Sequence, residues 1–221
     1  MEPFIALNFK TYKESLGQRG LNLASIACHV SQTTGVRIVV APQFLDIRAS
    51  VGLGAETFAQ SATDFEPGAH TGAISIDSIK DAGCAGLLVN HAENRLPKNS
   101  IEKIILRSKK LGIESMLCTK DVEESVELAR LNPTYVAIEP PELIGSGISV
   151  SSAKPEIISG AVEAVAKVSN SPVICGAGVS TGADVARAIE LGAKGVLLAS
   201  AYVKAKDPEK LLMEMAEALK K

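Results

Sequence analysis

Three side chains able to handle protons and charge each come directly after a short apolar run of the sequence. Lys10, His91 and Glu139 supply a cation, an imidazole and a carboxylate. A carboxylate that faces an imidazole across a site can move a proton on a carbon next to a carbonyl group. The residue types therefore predict proton-transfer chemistry, provided that the fold brings the three together.

Each of these side chains also has an ordinary structural explanation. A lone lysine is usually a solvated surface amine, and a lone histidine is usually a hydrogen-bonded structural residue. Lys10 follows a buried-strand pattern and Glu139 precedes two prolines, which are poor places for a merely solubilising charge. His29 and His70 have no such setting, so they keep the structural interpretation.

Two segments rich in small residues predict an anion site. The segment Gly176-Ala177-Gly178-Val179-Ser180 follows one apolar run, and Ala199-Ser200 follows another. Small residues let backbone N–H groups approach an anion, and the dipole of the next helix adds to the attraction. The glycines also fit a turn without a ligand or a degenerate dinucleotide motif. The displaced third glycine, Gly182, disfavours the dinucleotide motif.

Residues 139–147 combine stiff and flexible positions. Pro140 and Pro141 stiffen the start, Leu143-Ile144 forms an apolar tip, and Gly145-Ser146-Gly147 frees the end. This composition suits a lid that swings as a unit and excludes water. Taken alone, the segment favours an ordinary strand-to-helix connection.

Eight short β-branched runs alternate with longer stretches of helical period, which predicts an α/β protein. Because most runs are continuously apolar, we expect parallel strands buried on both faces. Eight units fit a closed (β/α)8 barrel or an open doubly wound sheet, and the count favours the barrel. No linker divides the chain, so we expect one domain over residues 1–221. The predicted strands are Phe4–Leu7, Arg37–Val40, Thr57–Ala59, Gly86–Val89, Glu114–Leu117, Tyr135–Ile138, Val173–Cys175 and Gly195–Leu198.

The composition excludes several classes of function. The 221 residues carry 23 basic and 25 acidic side chains, a net charge of −2 that disfavours binding to nucleic acid or an anionic membrane. The apolar run Gly195–Val203 is far shorter than the roughly 18 residues that suggest a membrane span. The N-terminus lacks the features of a signal peptide. Four scattered cysteines favour free thiols in a reducing cytoplasm over disulfides or a zinc site.

The candidate residues also occur in an order typical of one family. The set comprises Asn8-Phe9-Lys10, His91-Ala92-Glu93-Asn94-Arg95, the segment from Glu139 to Gly147, Gly176-Ala177-Gly178, Ala199-Ser200, the loop Gly68–Ser75 and Cys118. In this order they resemble triosephosphate isomerases over nearly the whole chain. No single motif is specific, but the ordered set is.

The resemblance implies interconversion of dihydroxyacetone phosphate and glyceraldehyde 3-phosphate through an enediolate, in glycolysis and gluconeogenesis, without cofactor or metal. It implies that Glu139 abstracts the proton, that neutral His91 polarises the carbonyl, and that Lys10 offsets negative charge. In this family a glutamate base acts together with a neutral histidine. Glu93 is expected to hold the charged network. The implied substrate-binding residues are Asn8, Phe9, Lys10, Ile144, Gly145, Gly178, Ala199 and Ser200.

Two departures from the common family pattern resemble the archaeal branch. The lid has Pro141-Glu142-Leu143 without the usual tryptophan, and Gly178 stands where many members have serine. The loop Glu66–Ser75 suggests insertion into a neighbouring subunit through Thr71, so a homodimer or homotetramer is expected. The chain is shorter than the roughly 250 residues typical of the barrel, and we expect the shortening mainly in the fifth helical unit.

Two alternative functions remain compatible with the sequence. Another phosphate-binding barrel isomerase or epimerase would use the same two loops, because they are common to many barrels. A phosphate-ligand sensor would bind without turnover. The joint presence of Lys10, His91 and Glu139 argues against the sensor.

Overall fold

Eight parallel strands close into a barrel in the part of the chain that the computed structural model describes, residues 2–143 and 149–220. Each strand pairs with the next one in sequence, and the last pairs with the first, with Phe4 opposite Gly195. This closure confirms the predicted (β/α)8 barrel and rules out the open sheet. The strands are β1 (Phe4–Asn8), β2 (Ile38–Ala41), β3 (Glu56–Ala59), β4 (Gly86–Val89), β5 (Glu114–Thr119), β6 (Tyr135–Ile138), β7 (Val173–Cys175) and β8 (Gly195–Leu198).

Helices cover the outside of the barrel. Side chains cap several of their N-termini: Asp121 accepts from the N–H of Glu124, and Thr181 and Asp184 form a capping box. No helix in the described ranges is long and apolar enough to cross a membrane. The helices are α1 (Gln18–Thr34), α2 (Ile47–Gly52), α3 (Ile76–Asp81), α4 (Lys98–Leu111), α5 (Val122–Ala129), α6 (Val150–Ala153), α7 (Pro155–Ala166), α8 (Gly182–Glu190), α9 (Ser200–Val203) and α10 (Pro208–Ala218).

The outer layer is shortened in more places than we expected. Helix α5 has 8 residues, but α2 and α3 have only 6 each, against 17 in α1. The expectation that shortening is concentrated in the fifth unit is therefore wrong. The second unit has only 14 residues between β2 and β3, against 15 between β5 and β6. The third unit has 26 residues between β3 and β4, most of them in loops.

Side chains alternate across each strand, so every second residue points into the barrel. The buried interior is apolar and includes Phe4, Ala6, Phe58 and Ile174. One step past the apolar layer, towards the carboxyl ends of the strands, the same series reaches polar or small residues. One step before it, at the amino ends, the series reaches charged residues. The strand register thus fixes two further layers of inward-facing residues. The layer at the carboxyl ends is polar or small, and the layer at the amino ends is charged. They comprise Asn8, Gln60, Asn90, Glu139, Gly176 and Ala199 at the carboxyl ends, and Arg37, Glu56 and Glu114 at the amino ends.

An ion cluster closes the amino end of the barrel. The Arg37 guanidinium donates to the carboxylates of Glu56 and Glu114 and, at 2.6 Å, to the hydroxyl of Tyr135. It also lies 5.0 Å from the centroid of the Phe4 ring. Burial lowers the pKa of Arg37, but the two carboxylates more than offset this and raise it, so the side chain stays charged. One cation thus pairs with two acidic side chains on separate strands.

We expect Arg37→Met to lower the free energy of unfolding by about 2 kcal/mol, because it leaves two part-buried carboxylates without their partner. Catalysis should not change, since the cluster lies at the opposite end of the barrel from the polar layer of Asn8 and Glu139. Denaturant unfolding and a steady-state assay measure the two quantities. Arg48→Met is the matched control: its pair with Asp81 is 69% and 76% exposed, so it should cost less than about 1 kcal/mol. Equal losses in both variants would contradict the role of the cluster.

Candidate active site

A cavity of about 280 Å³ opens at the carboxyl ends of the strands, where active sites of this fold lie. It brings together most of the residues that the sequence singled out: the cation, the imidazole, the carboxylate and both small-residue loops. Its lining consists of Asn8, Lys10, Tyr12, His91, Glu139, Gly176, Gly178, Val179, Ser180, Leu197, Leu198, Ala199, Ser200 and Ala201.

The carboxylate of Glu139 is buried, with its side chain only 5% exposed. The residue directly follows β6, and its backbone N–H is fixed by a 2.7 Å hydrogen bond to the carbonyl of Thr119. Oε1 lies 3.6 Å from Nε2 of His91, and Oε2 has no hydrogen-bond partner among the described residues. This oxygen lies at the cavity wall and can therefore accept a proton from a molecule bound in the cavity.

The neighbouring thiol of Cys118 does not compete for this role. Burial, reinforced by the negative charge of Glu139, holds the pKa of Cys118 well above its usual value. The thiol therefore stays protonated beside the carboxylate at neutral pH.

Gly176 provides the space that Glu139 occupies. A Cβ atom at position 176 would lie 2.4 Å from Cγ of Glu139 and 3.1 Å from the carbonyl oxygen of Ile138. Ordinary carbon contacts are about 3.5–4.0 Å, so any side chain there would displace the glutamate. The glycine in this loop is thus required by the carboxylate as well as by an anion.

The imidazole of His91 is oriented by the backbone. The N–H of Glu93 donates to Nδ1 of His91 at 3.2 Å. Because Nδ1 accepts a hydrogen bond, the proton of the neutral ring is on Nε2, which faces Glu139. The ring can therefore donate from Nε2 without carrying a positive charge.

Asn90 holds the turn on which His91 lies. Its backbone has φ of +63°, a left-handed conformation that asparagine tolerates. Its side chain donates to the carbonyl of Cys118 at 3.1 Å and accepts from the N–H of Leu96 at 3.0 Å. Both ends of the turn are thereby tied to the barrel.

Lys10 is held in a strained conformation, with φ of +46°. The side chain of Asn8 accepts from its N–H at 2.9 Å, and the amide of Gln60 donates to its carbonyl at 2.9 Å. Its Nζ lies 2.8 Å from Oε1 of Glu93, whose side chain is 58% exposed against 12% for Lys10. The ammonium group is therefore fixed at the cavity wall, with a partner that water also reaches.

The two small-residue loops offer backbone donors. Gly178, at φ of +71°, and Val179 have N–H groups without an acceptor among the described residues. Ser200 and Ala201 lie in the first turn of α9, where N–H groups have no partner within the helix. Four donors on two loops that line one cavity can surround an anion.

Five predicted positions do not line the described cavity. Glu93 is outside the lining and is connected to it through the ion pair of its carboxylate with Lys10. Phe9 is fully buried in the outer core, with its ring centroid 6.1 Å from that of Tyr202. Thr71 is exposed on the loop before α3. Ile144 and Gly145, with Ser146 and Gly147 of the predicted lid, lie outside the described residues.

Sequence reasoning missed several residues that the structure places here. Tyr12 and Ala201 line the cavity. Gln60 supports Lys10 from the end of β3, and it also donates to the carbonyl of Ala41 at 3.0 Å. Gln60 carries no titratable group, but it directly follows a strand, and that position was the signal that could have found it.

Comparison with known proteins places the chain among triosephosphate isomerases. The family model for triosephosphate isomerase matches residues 3–218. The chain is 48% identical to the triosephosphate isomerase of Methanocaldococcus jannaschii over 213 residues, which cover 96% of this chain and 97% of that protein. It is 47% identical to that of Methanothermus fervidus and 48% identical to that of Methanothermobacter thermautotrophicus, each over 215 residues. These cover 96% of this chain in both cases, and 97% and 94% of the two relatives.

We expect Gly176→Ala to push the Glu139 carboxylate away from His91 by about 1 Å, the difference between the 2.4 Å approach and an ordinary contact. A shift of that size is enough to lower a rate by about 10²-fold. Crystal structures of the variant give the distance from Oε1 to Nε2 directly. Gly160→Ala in α7 is the matched control, because its nearest atom is 3.9 Å away, and the distance should stay at 3.6 Å. An unchanged distance in Gly176→Ala would contradict the assignment.

Proposed function

The chain belongs to the triosephosphate isomerase family, and we propose that Glu139, His91 and Lys10 carry its reaction. The protein is an isomerase that interconverts dihydroxyacetone phosphate and D-glyceraldehyde 3-phosphate. The two trioses differ only in which carbon bears the carbonyl group, so the reaction needs a proton transfer between neighbouring carbons. The observation that supports the assignment is the buried Glu139 carboxylate 3.6 Å from the Nε2 of His91 in a cavity with anion-binding loops.

Glu139 acts as the general base. Its carboxylate takes a proton from the carbon next to the carbonyl, and the electron pair of that C–H bond forms the double bond of an enediolate. The resulting carboxylic acid then returns a proton to the neighbouring carbon, while the hydroxyl proton of the substrate passes to the former carbonyl oxygen, so that the two oxygens exchange roles. The position of Glu139 supports this role, because its carboxylate lines the cavity and its Oε2 has no hydrogen-bond partner among the described residues.

His91 acts as the electrophile that stabilises the enediolate. As a neutral ring with its proton on Nε2, it donates a hydrogen bond to the substrate oxygen on which negative charge develops. The backbone N–H of Glu93 on Nδ1 supports this tautomer throughout the cycle.

Lys10 supplies the positive charge for the phosphate and the enediolate. Its fixed backbone and its position on the cavity wall support an ammonium group that is already in place before the substrate arrives. Glu93 holds this charge network and does not react. Asn8 positions Lys10 and lines the same wall.

The backbone N–H groups of Gly178, Ala199 and Ser200 hold the substrate phosphate in this proposal, with Ile144 and Gly145 added from the lid. Closure of that lid would keep water from the enediolate and prevent loss of phosphate. Phe9 contributes by packing under the loop that carries Lys10, since its side chain lies in the core.

We also propose that the protein works as a homodimer or homotetramer in the cytoplasm, without a nucleic acid or membrane partner. The exposed Thr71 on its loop supports a subunit contact, as do the neighbouring Phe65, which is 48% exposed, and Leu45, which is 97% exposed. Four unpaired thiols fit a reducing compartment.

We expect light scattering to give at least twice the chain mass of 23.1 kDa. Thr71→Arg should shift the mass towards that of one chain, because a charged side chain would enter the contact. The variant Glu163→Arg, on the outer face of α7, is the control and should leave the mass unchanged. A wild-type mass of 23.1 kDa at all concentrations would refute the assembly.

We expect Glu139→Gln to lower kcat by roughly 10³-fold, because the amide has nearly the same shape but cannot accept the proton. An assay with glyceraldehyde 3-phosphate, in the presence of a chelator, measures this. Binding of inorganic phosphate should stay within about twofold, since the anion loops are untouched. Glu127→Gln, which removes an exposed carboxylate paired with Lys98, is the control and should leave kcat unchanged. Near-normal turnover in Glu139→Gln would refute the assignment of the base.

A further inference from the structure

The side chain of Asp184 contacts more of its surroundings than a helix cap requires. Oδ2 accepts from the N–H of Ser180 at 3.0 Å and from its hydroxyl at 3.2 Å. It also accepts from the N–H and the hydroxyl of Thr181, both at 2.9 Å. Thr181 is the N-cap of α8, but Ser180 lies outside the helix and lines the active-site cavity.

Asp184 is also bonded to the segment that follows residues 144–148. The hydroxyl of Ser151 donates to the carbonyl of Asp184 at 3.1 Å, and that of Ser152 donates to Oδ1 at 3.4 Å. The N–H of Val150 donates to the carbonyl of Ala177 at 3.1 Å. The chain that leaves the predicted lid is therefore bonded both to the anion loop and to Asp184.

The carboxyl group of Asp184 is in the charge state that strengthens these hydrogen bonds. Burial raises the pKa of its carboxyl, but the hydrogen bonds from Ser180 and Thr181 outweigh burial and hold the pKa below its usual value. The side chain is therefore ionised at neutral pH, and its bonds are charge-assisted, which makes them about twice as strong as neutral ones.

Two other helices show what an aspartate cap does alone. Asp207 accepts from the N–H of Lys210 at the start of α10, and Asp121 accepts from that of Glu124 at the start of α5. Each of these bonds stays within its own helix. Asp184 differs because it binds a residue of the cavity wall and two residues of the segment after the lid.

We propose that Asp184 is a positioning residue for phosphate recognition. It binds the N–H groups of Ser180 and Thr181, which fixes the loop with the N–H groups of Gly178 and Val179 left for the substrate phosphate. Through Ser151 and Ser152 it also holds α6 against that loop. The inference rests on the proposed function, since it assigns the phosphate end of the same site.

If Asp184 has this role, its substitution should weaken phosphate binding more than it lowers kcat. Asp184→Ala should raise the KM for glyceraldehyde 3-phosphate and the Kd for inorganic phosphate roughly tenfold, with kcat within about threefold. Asp184→Asn should largely restore both, because its amide oxygen can accept both backbone N–H groups. Steady-state kinetics and calorimetry with phosphate measure these values.

Asp207→Ala is the matched control for the loss of a helix cap. It should lower the melting temperature by roughly 2–4 °C, as Asp184→Ala does, while KM and the phosphate Kd stay at wild-type values. If Asp184→Ala does not fold, the double variant Ser151→Ala/Ser152→Ala tests the link between Asp184 and α6 and should raise the KM about threefold.

Unchanged KM and phosphate affinity in Asp184→Ala, or in the double variant, would overturn the inference and reduce Asp184 to a cap. A fall in kcat with unchanged KM would do the same. These outcomes are distinct from failure of the proposed function, which would appear as absent turnover in the wild-type protein. Phosphate calorimetry would still test Asp184 in that event.

Discussion

The burial of the Glu139 carboxylate at the end of β6 constrains the architecture around it. A carboxylate removed from water loses most of its hydration, and the surrounding groups compensate only in part. Its backbone is fixed by Thr119, its side chain fills the space left by Gly176, and its Oε1 faces the N–H side of His91. Each contact comes from a different strand end, so the carboxylate keeps its position only while the barrel is closed.

The alternation of side chains along the strands separates stability from chemistry. The inward series passes from the Arg37 cluster through the apolar interior to the polar layer with Asn8 and Glu139. At the amino end of the barrel the charged side chains are held in ion pairs, whereas among the described residues the carboxyl end has an unpaired carboxylate oxygen and free backbone donors. Strain is also placed at that end, in the left-handed backbones of Lys10 and Asn90. The groups that cost conformational stability are therefore concentrated at the carboxyl end of the barrel.

Much of this arrangement could be predicted from the sequence because parallel strands in a barrel end at one face. Residues directly after apolar runs must meet there, which is why Lys10, His91 and Glu139 share a cavity although they are far apart in sequence. The alternation also explains why Phe9 does not line the cavity. Its side chain points outward from the barrel and packs in the outer core. Gln60 and Asp184 were not identified as functional because they act through hydrogen bonds to neighbours, and the sequence does not show which neighbours those are.

The lengths of the outer helices were predicted less well. A short gap between two strands indicates a short helix, as in α5, but a longer gap can hold either a helix or loops. The second and third units use loops, and their helices have 6 residues each. In a long connection the local sequence does not determine how many residues pack as a helix on the barrel wall and how many form loops.

The most direct test of Glu139 as a base that exchanges its proton is isomerisation in D₂O. Dihydroxyacetone phosphate is converted by the wild-type protein, the glyceraldehyde 3-phosphate is trapped as it forms, and its deuterium content at C2 is measured by mass spectrometry. Proton transfer through a carboxylate allows exchange with solvent during the lifetime of the enediolate, so the account predicts that a substantial fraction of the product carries deuterium at C2. Product without deuterium at C2 would show that no proton exchanges with solvent through Glu139 during the reaction and would contradict the account.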